Sequence, residues 1–182
     1  ETPTGNEITG PRPIKTERKE QAREMIEKKE RELDQEAEKA QPQQREMIKN
    51  QNQVRLAVHS LLAMENLTGG IGKQVSAIAK EFNNGIEKTA NAEKKIKERS
   101  SFTRFFAGGD EDSAEEIERQ VNQNQEKMKE LKDLIKTCDG CDEETRGMLQ
   151  QQVMALDKNQ ERLQGLAEKE KSSKGLFGWL WK

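Results

Sequence analysis

Two cysteines and one histidine are the residues with which this sequence could bind a metal or carry out thiol chemistry. Cys138 and Cys141 form a C-x-x-C motif, and His59 is the single histidine. A structural zinc site takes four ligands, so these three residues would need an added carboxylate. Thioredoxin-like chemistry places such a motif near a βαβ unit, which the sequence does not predict. We therefore expect no metal and no cofactor. A local Cys138–Cys141 disulfide outside the cell and two thiols inside it stay open as alternatives.

No other group of residues indicates catalysis. Asn66-Leu67-Thr68 matches the acceptor motif for N-glycosylation, although tripeptides of this kind are common by chance. The glycines that follow do not form a phosphate loop, because no strand precedes them and no Gly-Lys-Ser follows. The acidic residues alternate with lysines at helical spacing, which is typical of solvated helix faces. We predict that the protein is not an enzyme.

Aromatic residues are concentrated in two short stretches. The sequence has five phenylalanines, two tryptophans and no tyrosine. All except Phe82 lie in SSFTRFFAGG or in the final SKGLFGWLWK, at Phe102, Phe105, Phe106, Phe177, Trp179 and Trp181. The final stretch also contains Leu176 and Leu180. Such a concentration in a polar chain predicts a contact surface.

Three interpretations of these aromatic stretches compete. They could close the end of a helical core, since aromatic rings bury large areas. They could rest on a membrane interface, where tryptophan is enriched and Lys171, Lys174 and Lys182 would face lipid headgroups. They could instead dock a partner protein. The pattern favours a membrane, because GLFGWLW is continuous, terminal and broken by glycine. A core element would show helical or alternating spacing.

Five long helices are predicted from apolar spacing and turn-forming residues. Charged residues make up 36% of the chain and apolar residues 31%, which is typical of long solvent-exposed helices. The predicted helices span residues 14–40, 43–65, 71–99, 113–137 and 143–172. SSFTRFFAGGDED is predicted to be a loop, with Ser113 as the N-cap of the fourth helix. The first helix has the weakest apolar stripe, so we expect it to project from the bundle or to pack loosely.

The fourth and fifth predicted helices carry the clearest pattern. Their apolar residues recur at alternating steps of four and three, which is the spacing of a coiled-coil seam. A short turn makes the two helices antiparallel neighbours and pairs Ile135 with Leu149. The same register brings Asn124 opposite Gln160, so the two amides could satisfy each other in one layer. A buried polar layer of this kind fixes register.

The second and third predicted helices give a matching hairpin. Their seams pair in order around a turn centred on Thr68, and consist of Met47, Gln51, Val54, Val58 and Leu61 facing Thr89, Gly85, Phe82, Ile78 and Val75. Two hairpins in series predict an all-α, up-down-up-down four-helix bundle with an additional N-terminal helix. Both tight turns then lie at one end. The loop between the third and fourth helices meets the C-terminus at the other end, where the aromatic residues gather.

The predicted organisation has four parts. A flexible segment at residues 1–13 precedes a helix at 14–41, a bundle of two hairpins at 43–172 and an aromatic, membrane-proximal tail at 173–182. The chain begins at Glu1, which is consistent with cleavage of a signal peptide or with a cut or omitted start. No run approaches the roughly 18–20 apolar residues of a membrane span.

These patterns predict a non-catalytic, membrane-proximal coiled-coil protein with a structural, scaffolding or adaptor role. The expected partner is a membrane surface or a membrane protein, and association of copies through coiled-coil faces stays open. The 32 basic and 34 acidic residues are well mixed, so we expect no nucleic-acid binding. The expected location is membrane-associated, and extracytoplasmic if the disulfide forms. The alternatives are an extracytoplasmic four-helix sensor domain of a membrane receptor and a lipid-binding helical protein, which would need broader apolar faces.

Overall fold

The computed structural model describes residues 15–176, most of which are helical. The six α-helices are α1 (Lys15–Lys39), α2 (Pro42–Ala63), α3 (Gly72–Glu98), α4 (Ser101–Ala107), α5 (Glu111–Lys136) and α6 (Glu143–Ser172). Two single-turn 3-10 helices, Glu65–Leu67 and Gly69–Ile71, connect α2 to α3. The described residues contain no β-strand, so the predicted all-α class is confirmed.

The main difference from the sequence prediction is α4, which replaces a predicted loop. Ser100 Oγ caps this helix by accepting a hydrogen bond from the Thr103 backbone at 3.1 Å. Gly108 ends it with a φ of +83°. The predicted N-cap of the next helix was also wrong, because Asp110 Oδ1 accepts a hydrogen bond from the Ser113 backbone at 3.0 Å. The serine and glycine that suggested a loop therefore act as caps of one short helix.

The long helices pack against one another along their lengths. α5 packs on α3 and α6, and α2 packs on the same two helices. α1 packs along α2 and buries Ala22, Leu33 and Ala37. Asn52 Nδ2 on α2 also donates a hydrogen bond of 2.7 Å to Leu33 O. α1 therefore lies along the body of the protein, and its thin apolar stripe is supplemented by polar contacts.

The apolar core is divided into two clusters along the helices. The larger cluster includes Leu61, Phe82, Leu131, Leu149 and Leu156. The smaller cluster consists of Ala92, Ile96, Ala114, Ile117, Val121, Leu163 and Ala167. Residues of the predicted α5 and α6 seams belong to both clusters. The coiled-coil spacing therefore identifies core positions along the whole length of these two helices.

The helix connections meet in two separate groups. The α2–α3 and α5–α6 connections touch, since a Cβ added to Gly140 would lie 3.4 Å from Gly69 Cα. In the other group, the Leu176 backbone donates a hydrogen bond of 2.8 Å to Phe105 O. We name the first group, residues 65–71 and 138–142, the disulfide tip, and the second, residues 101–110 and 173–176, the aromatic pole. α5 runs between them over 26 residues, or about 39 Å at 1.5 Å per residue.

Candidate interaction surface at the aromatic pole

Three phenylalanines of α4 form one exposed cluster. The Phe106 ring lies 4.5 Å from that of Phe102 and 5.0 Å from that of Phe105, measured between ring centroids. The Phe105–Phe106 pair is edge to face, an arrangement that aromatic pairs prefer. Phe102 is 73% exposed and Phe105 is 58% exposed. One of the three interpretations of the sequence placed these rings at the end of the helical core, whereas two of the three face solvent within residues 15–176.

A buried carboxylate holds α4 in place. Both oxygens of Glu170 on α6 accept hydrogen bonds from Arg104 Nη1, at 2.8 and 2.7 Å. Glu170 Oε1 also accepts from the Asp110 backbone at 2.8 Å, and Arg104 Nη2 donates to Ile96 O at the end of α3. Glu170 is only 3% exposed, so its charge requires these partners. The network ties α3, α4, α5 and α6 together behind the exposed rings.

The segment after α6 is attached to α4 through its backbone. Gly109 N donates a hydrogen bond of 2.8 Å to Ser173 O, in addition to the bond from Leu176 N to Phe105 O. A Cβ on Gly175 would lie 2.3 Å from Gly108 N, which real Cβ atoms do not approach. Glycine is therefore required at position 175 for the chain to pass this close to the end of α4.

The apolar surface continues from α4 onto Leu176. This side chain is 52% exposed, and its backbone is fixed next to Phe105. The other residues predicted for the contact surface, Phe177, Trp179, Leu180 and Trp181, lie outside the described residues. The aromatic pole thus brings together Phe102, Phe105, Phe106 and Leu176, and presents at least three of them to solvent.

The three lysines that the sequence predicts near the aromatic pole differ in their contacts. Lys171 Nζ forms an ion pair of 2.9 Å with Glu118 Oε2, and this hydrogen bond raises the pKa of Lys171. Lys174 is exposed and forms no ion pair with any residue from 15 to 176. Lys182 lies outside that range. Of the three lysines predicted to face lipid, Lys171 is therefore already engaged within the protein.

The two cysteines lie at the opposite group of connections, in the disulfide tip. Cys138 and Cys141 are joined by a disulfide with a Cα–Cα distance of 5.4 Å. Both are buried, and Cys138 Sγ lies 3.6 Å from Thr68 O of the neighbouring connection. Arg146 donates three hydrogen bonds to carbonyls at the end of α5, including one of 2.8 Å to Cys138 O. Within residues 15–176, no three metal-binding side chains are grouped as they would be around an ion.

A polar band separates the two apolar clusters. Asn124 Nδ2 donates a hydrogen bond of 3.3 Å to Gln160 Oε1, so the two amides lie in one layer. Next to them, Arg162 binds both oxygens of Glu93 at 2.7 and 3.0 Å, and Glu93 is 1% exposed. A cavity of about 20 Å³ lies within this band and is lined by Gln51, Asn124 and Gln160 among others.

Sequence reasoning missed both buried carboxylates. Glu170 lies three residues after Ala167 and therefore continues the α6 seam by one more step. Glu93 lies four residues after Thr89 of the α3 seam. For Glu170, a charged residue at a seam position was the signal. Glu93 follows Ala92, at which the alternating steps of the α3 seam continue, so the seam gave no such signal for Glu93.

No helix in the described part of the chain combines the length and hydropathy needed to cross a bilayer. Comparisons with protein families, curated proteins and solved structures find no match to this chain. The functional interpretation therefore depends on the geometry of these sites.

Proposed function

We propose that this protein is a non-catalytic, membrane-proximal helical scaffold whose aromatic pole rests on a membrane surface. The observation that carries the proposal is the exposure of Phe102 and Phe105 on a helix fixed beside residue 176. Aromatic rings of this size are usually buried, and an exposed apolar cluster marks a contact site. Arg104 and Glu170 hold the cluster in one orientation, as a contact surface requires.

The sequence that follows the pole supports a bilayer as the partner. Six residues follow Leu176, and an extended chain spans at most about 3.6 Å per residue. The Cα atoms of Phe177, Trp179 and Trp181 therefore lie within about 20 Å of that of Leu176. Tryptophan is enriched where a bilayer meets water. The proposed contact of α4 and residues 176–182 lies in the interface, where apolar and aromatic side chains rest at the boundary of headgroups and acyl chains.

The proposed scaffold is an up-down-up-down bundle of α2, α3, α5 and α6, with α1 as an additional helix along α2. Two observations support this topology. Each of the four helices packs on two others of the set, and the α2–α3 and α5–α6 connections meet at the disulfide tip. With the aromatic pole on a membrane, the tip would lie about 40 Å away. Such a rod could hold a partner at a fixed distance from the surface.

The disulfide favours the extracytoplasmic side for this scaffold, because disulfides persist mainly in oxidising compartments. A sensor domain would also suit that location. However, the cavity in the polar band is about 20 Å³, which accommodates roughly one water molecule. Pockets for small organic ligands are typically about 300–1,000 Å³. An open groove of about 400 Å³ between α3 and α5 is larger, but its lining residues are polar or charged apart from Gly85, whereas small-molecule pockets are mostly apolar. The comparison therefore favours a scaffold over a ligand sensor whose site is the polar band.

Vesicle binding tests the proposal. The full chain should sediment with vesicles of phosphatidylcholine and phosphatidylglycerol, and its tryptophan emission should shift to shorter wavelength as the indoles leave water. Replacing Phe102 and Phe105 together by serine should weaken the partition coefficient about tenfold or more, because burying one such ring contributes about 1.5–3 kcal/mol. Removing residues 177–182 should weaken it further while the melting temperature stays nearly constant.

A matched variant separates this surface from general hydrophobicity. Met154 on α6 is 70% exposed and lies outside the aromatic pole, so Met154→Ser should leave vesicle binding unchanged. Pure phosphatidylcholine vesicles provide the second comparison, and binding should be weaker there because Lys174 has no anionic lipid to face. Equal vesicle binding by the wild type and the double serine variant would show that α4 does not contribute to the membrane contact.

A further inference from the structure

Asn66 occupies an exposed position at the disulfide tip. It is the central residue of the 3-10 helix Glu65–Leu67, between two buried residues, Met64 and Leu67. Its side-chain amide makes no hydrogen bond within residues 15–176. The polar end of this side chain is therefore not required by the fold and has room for a large substituent directed into solvent.

The residues after Asn66 complete an acceptor motif. Leu67 is not proline and Thr68 supplies the hydroxyl, so the tripeptide fits N-x-Ser/Thr. None of the other asparagines in the sequence is followed two positions later by serine or threonine. The one motif thus falls on a surface turn, which is where a bulky glycan is tolerated.

The disulfide supplies an independent observation at the same turn. Cys138 Sγ lies 3.6 Å from Thr68 O, and both cysteines of the chain are consumed in the Cys138–Cys141 bond. N-glycosylation and stable disulfides occur in the same class of compartment, outside the reducing cytosol. The disulfide and the acceptor motif therefore point to the same class of compartment.

We infer that Asn66 is an N-glycosylation site. In the reaction, Asn66 Nδ2 forms a bond to C1 of the first sugar of a lipid-diphosphate-linked oligosaccharide and loses one proton. The bond between C1 and the diphosphate oxygen breaks, and the lipid diphosphate leaves with the bonding electron pair. No oxidation or reduction is involved, and the donor supplies the whole glycan.

The structure also sets the order of events. Thr68 is buried, and its hydroxyl donates a hydrogen bond of 3.0 Å to Glu65 O. A transferase that must contact this hydroxyl has no access to it once the α2–α3 connection has folded. Transfer therefore precedes closure of the disulfide tip, and the finished fold keeps the modified Asn66 on its surface.

The glycan would project from the disulfide tip, about 40 Å along α5 from the aromatic pole. A membrane surface at the pole leaves that space open. The inference about Asn66 depends only on the disulfide tip. Its test is therefore independent of the proposed membrane contact.

Mass spectrometry of the full chain purified from the cells that produce it tests the inference. The intact mass should exceed that of the polypeptide and return to it after treatment with peptide N-glycosidase. Carried out in heavy-oxygen water, this treatment should leave a labelled aspartate at position 66. Peptides containing Cys138 and Cys141 should be disulfide-linked in the same sample.

Two variants expressed in the same cells complete the test. Asn66→Gln should abolish the mass increase, whereas Asn84→Gln, at an exposed asparagine outside the motif, should leave it unchanged. The readout on the natural chain does not depend on whether either variant folds. An unmodified Asn66 in the natural protein would overturn the inference, whether the two cysteines are disulfide-linked or reduced.

Discussion

The disulfide tip and the aromatic pole stabilise their helix ends by different means. At the tip, Leu67 and Cys138 are buried in the larger apolar cluster, and a disulfide closes the α5–α6 turn. At the pole, Phe102 and Phe105 stay exposed, and a carboxylate–arginine network with backbone hydrogen bonds fixes the same region. One end therefore covers its apolar side chains, and the other displays them.

This difference shows how a small polar protein can keep an apolar surface in one orientation. Apolar burial has no preferred direction, so a region held only by burial would turn its rings inward. Hydrogen bonds are directional, and the bonds from Arg104 to Glu170 hold α4 without using its aromatic face. Gly175 contributes by letting two backbones approach closely. Within residues 15–176, the aromatic pole therefore keeps the rings of Phe102 and Phe105 exposed while its backbone is held in place.

The largest expected effect is on the larger apolar cluster, in which the disulfide tip is anchored. Leu131 is fully buried in the larger cluster, and replacing it by alanine should lower the free energy of unfolding by about 2–5 kcal/mol through the cavity that it leaves. Urea denaturation followed by circular dichroism would measure the loss. Met154→Ala on α6 is the matched control and should change stability by less than about 0.5 kcal/mol, because Met154 is exposed. A similar loss of unfolding free energy at Leu131 and Met154 would show that buried and exposed apolar residues do not differ here in their contribution to stability.

The second largest expected effect is on the stability of the aromatic pole. Arg104→Gln leaves the buried Glu170 without its charged partner and should cost about 2 kcal/mol. The loss should be local, with faster hydrogen exchange over residues 101–110 and 173–176 and little change in α2. Arg119→Gln on α5 removes an exposed arginine from its ion pair with the half-buried Glu116 and serves as the control. Uniform acceleration across all helices would show instead that the pole is part of one cooperative unit.

The two ends also differ in how well the sequence predicts them. The α5–α6 hairpin is predictable because Ile117, Leu131 and Leu149 follow a strict seam, and the Asn124–Gln160 pair lies in one layer of that register. The all-α class follows from the same spacing. Apolar periodicity is a repeated signal, so one misread residue does not change the result.

α4 was missed because its determinants are single contacts between distant parts of the chain. Ser100 and Gly108 are equally compatible with a loop and with the caps of a short helix. The position of Glu170 in the α6 seam indicates burial, but its partner Arg104, 66 positions earlier, is identified only when the two are placed side by side. Spacing within one helix does not reveal such a pair, and this is why the platform that presents the aromatic rings appears only in three dimensions.

The smallest expected effect concerns the N-terminal end of α1, which joins the disulfide tip through partly exposed ion pairs. Lys19 Nζ lies 2.8 Å from Asp142 Oδ2 and 2.6 Å from Glu144 Oε2. Its hydrogen bond, together with the Thr145 backbone N–H, holds the pKa of Asp142 well below its usual range, and Lys19 also lowers the pKa of Glu144. These carboxylates therefore stabilise the folded state above their unfolded pKa values of about 4 and lose that contribution as the pH falls further.

Acid should accordingly loosen the start of α1 before the rest of the protein. Between about pH 5 and pH 2, hydrogen exchange at residues 15–23, corrected for the intrinsic rate, should accelerate more than exchange in α5. Lys19→Met should make this end exchange rapidly already at pH 5 and remove most of its pH dependence. Lys132→Met, which breaks an exposed pair with Asp157 between α5 and α6, is the control and should leave residues 15–23 unchanged. If wild-type exchange at residues 15–23 is the same at both pH values, then the burial of Ala22 in the larger apolar cluster, and not the ion pairs, attaches this end of α1 to the disulfide tip.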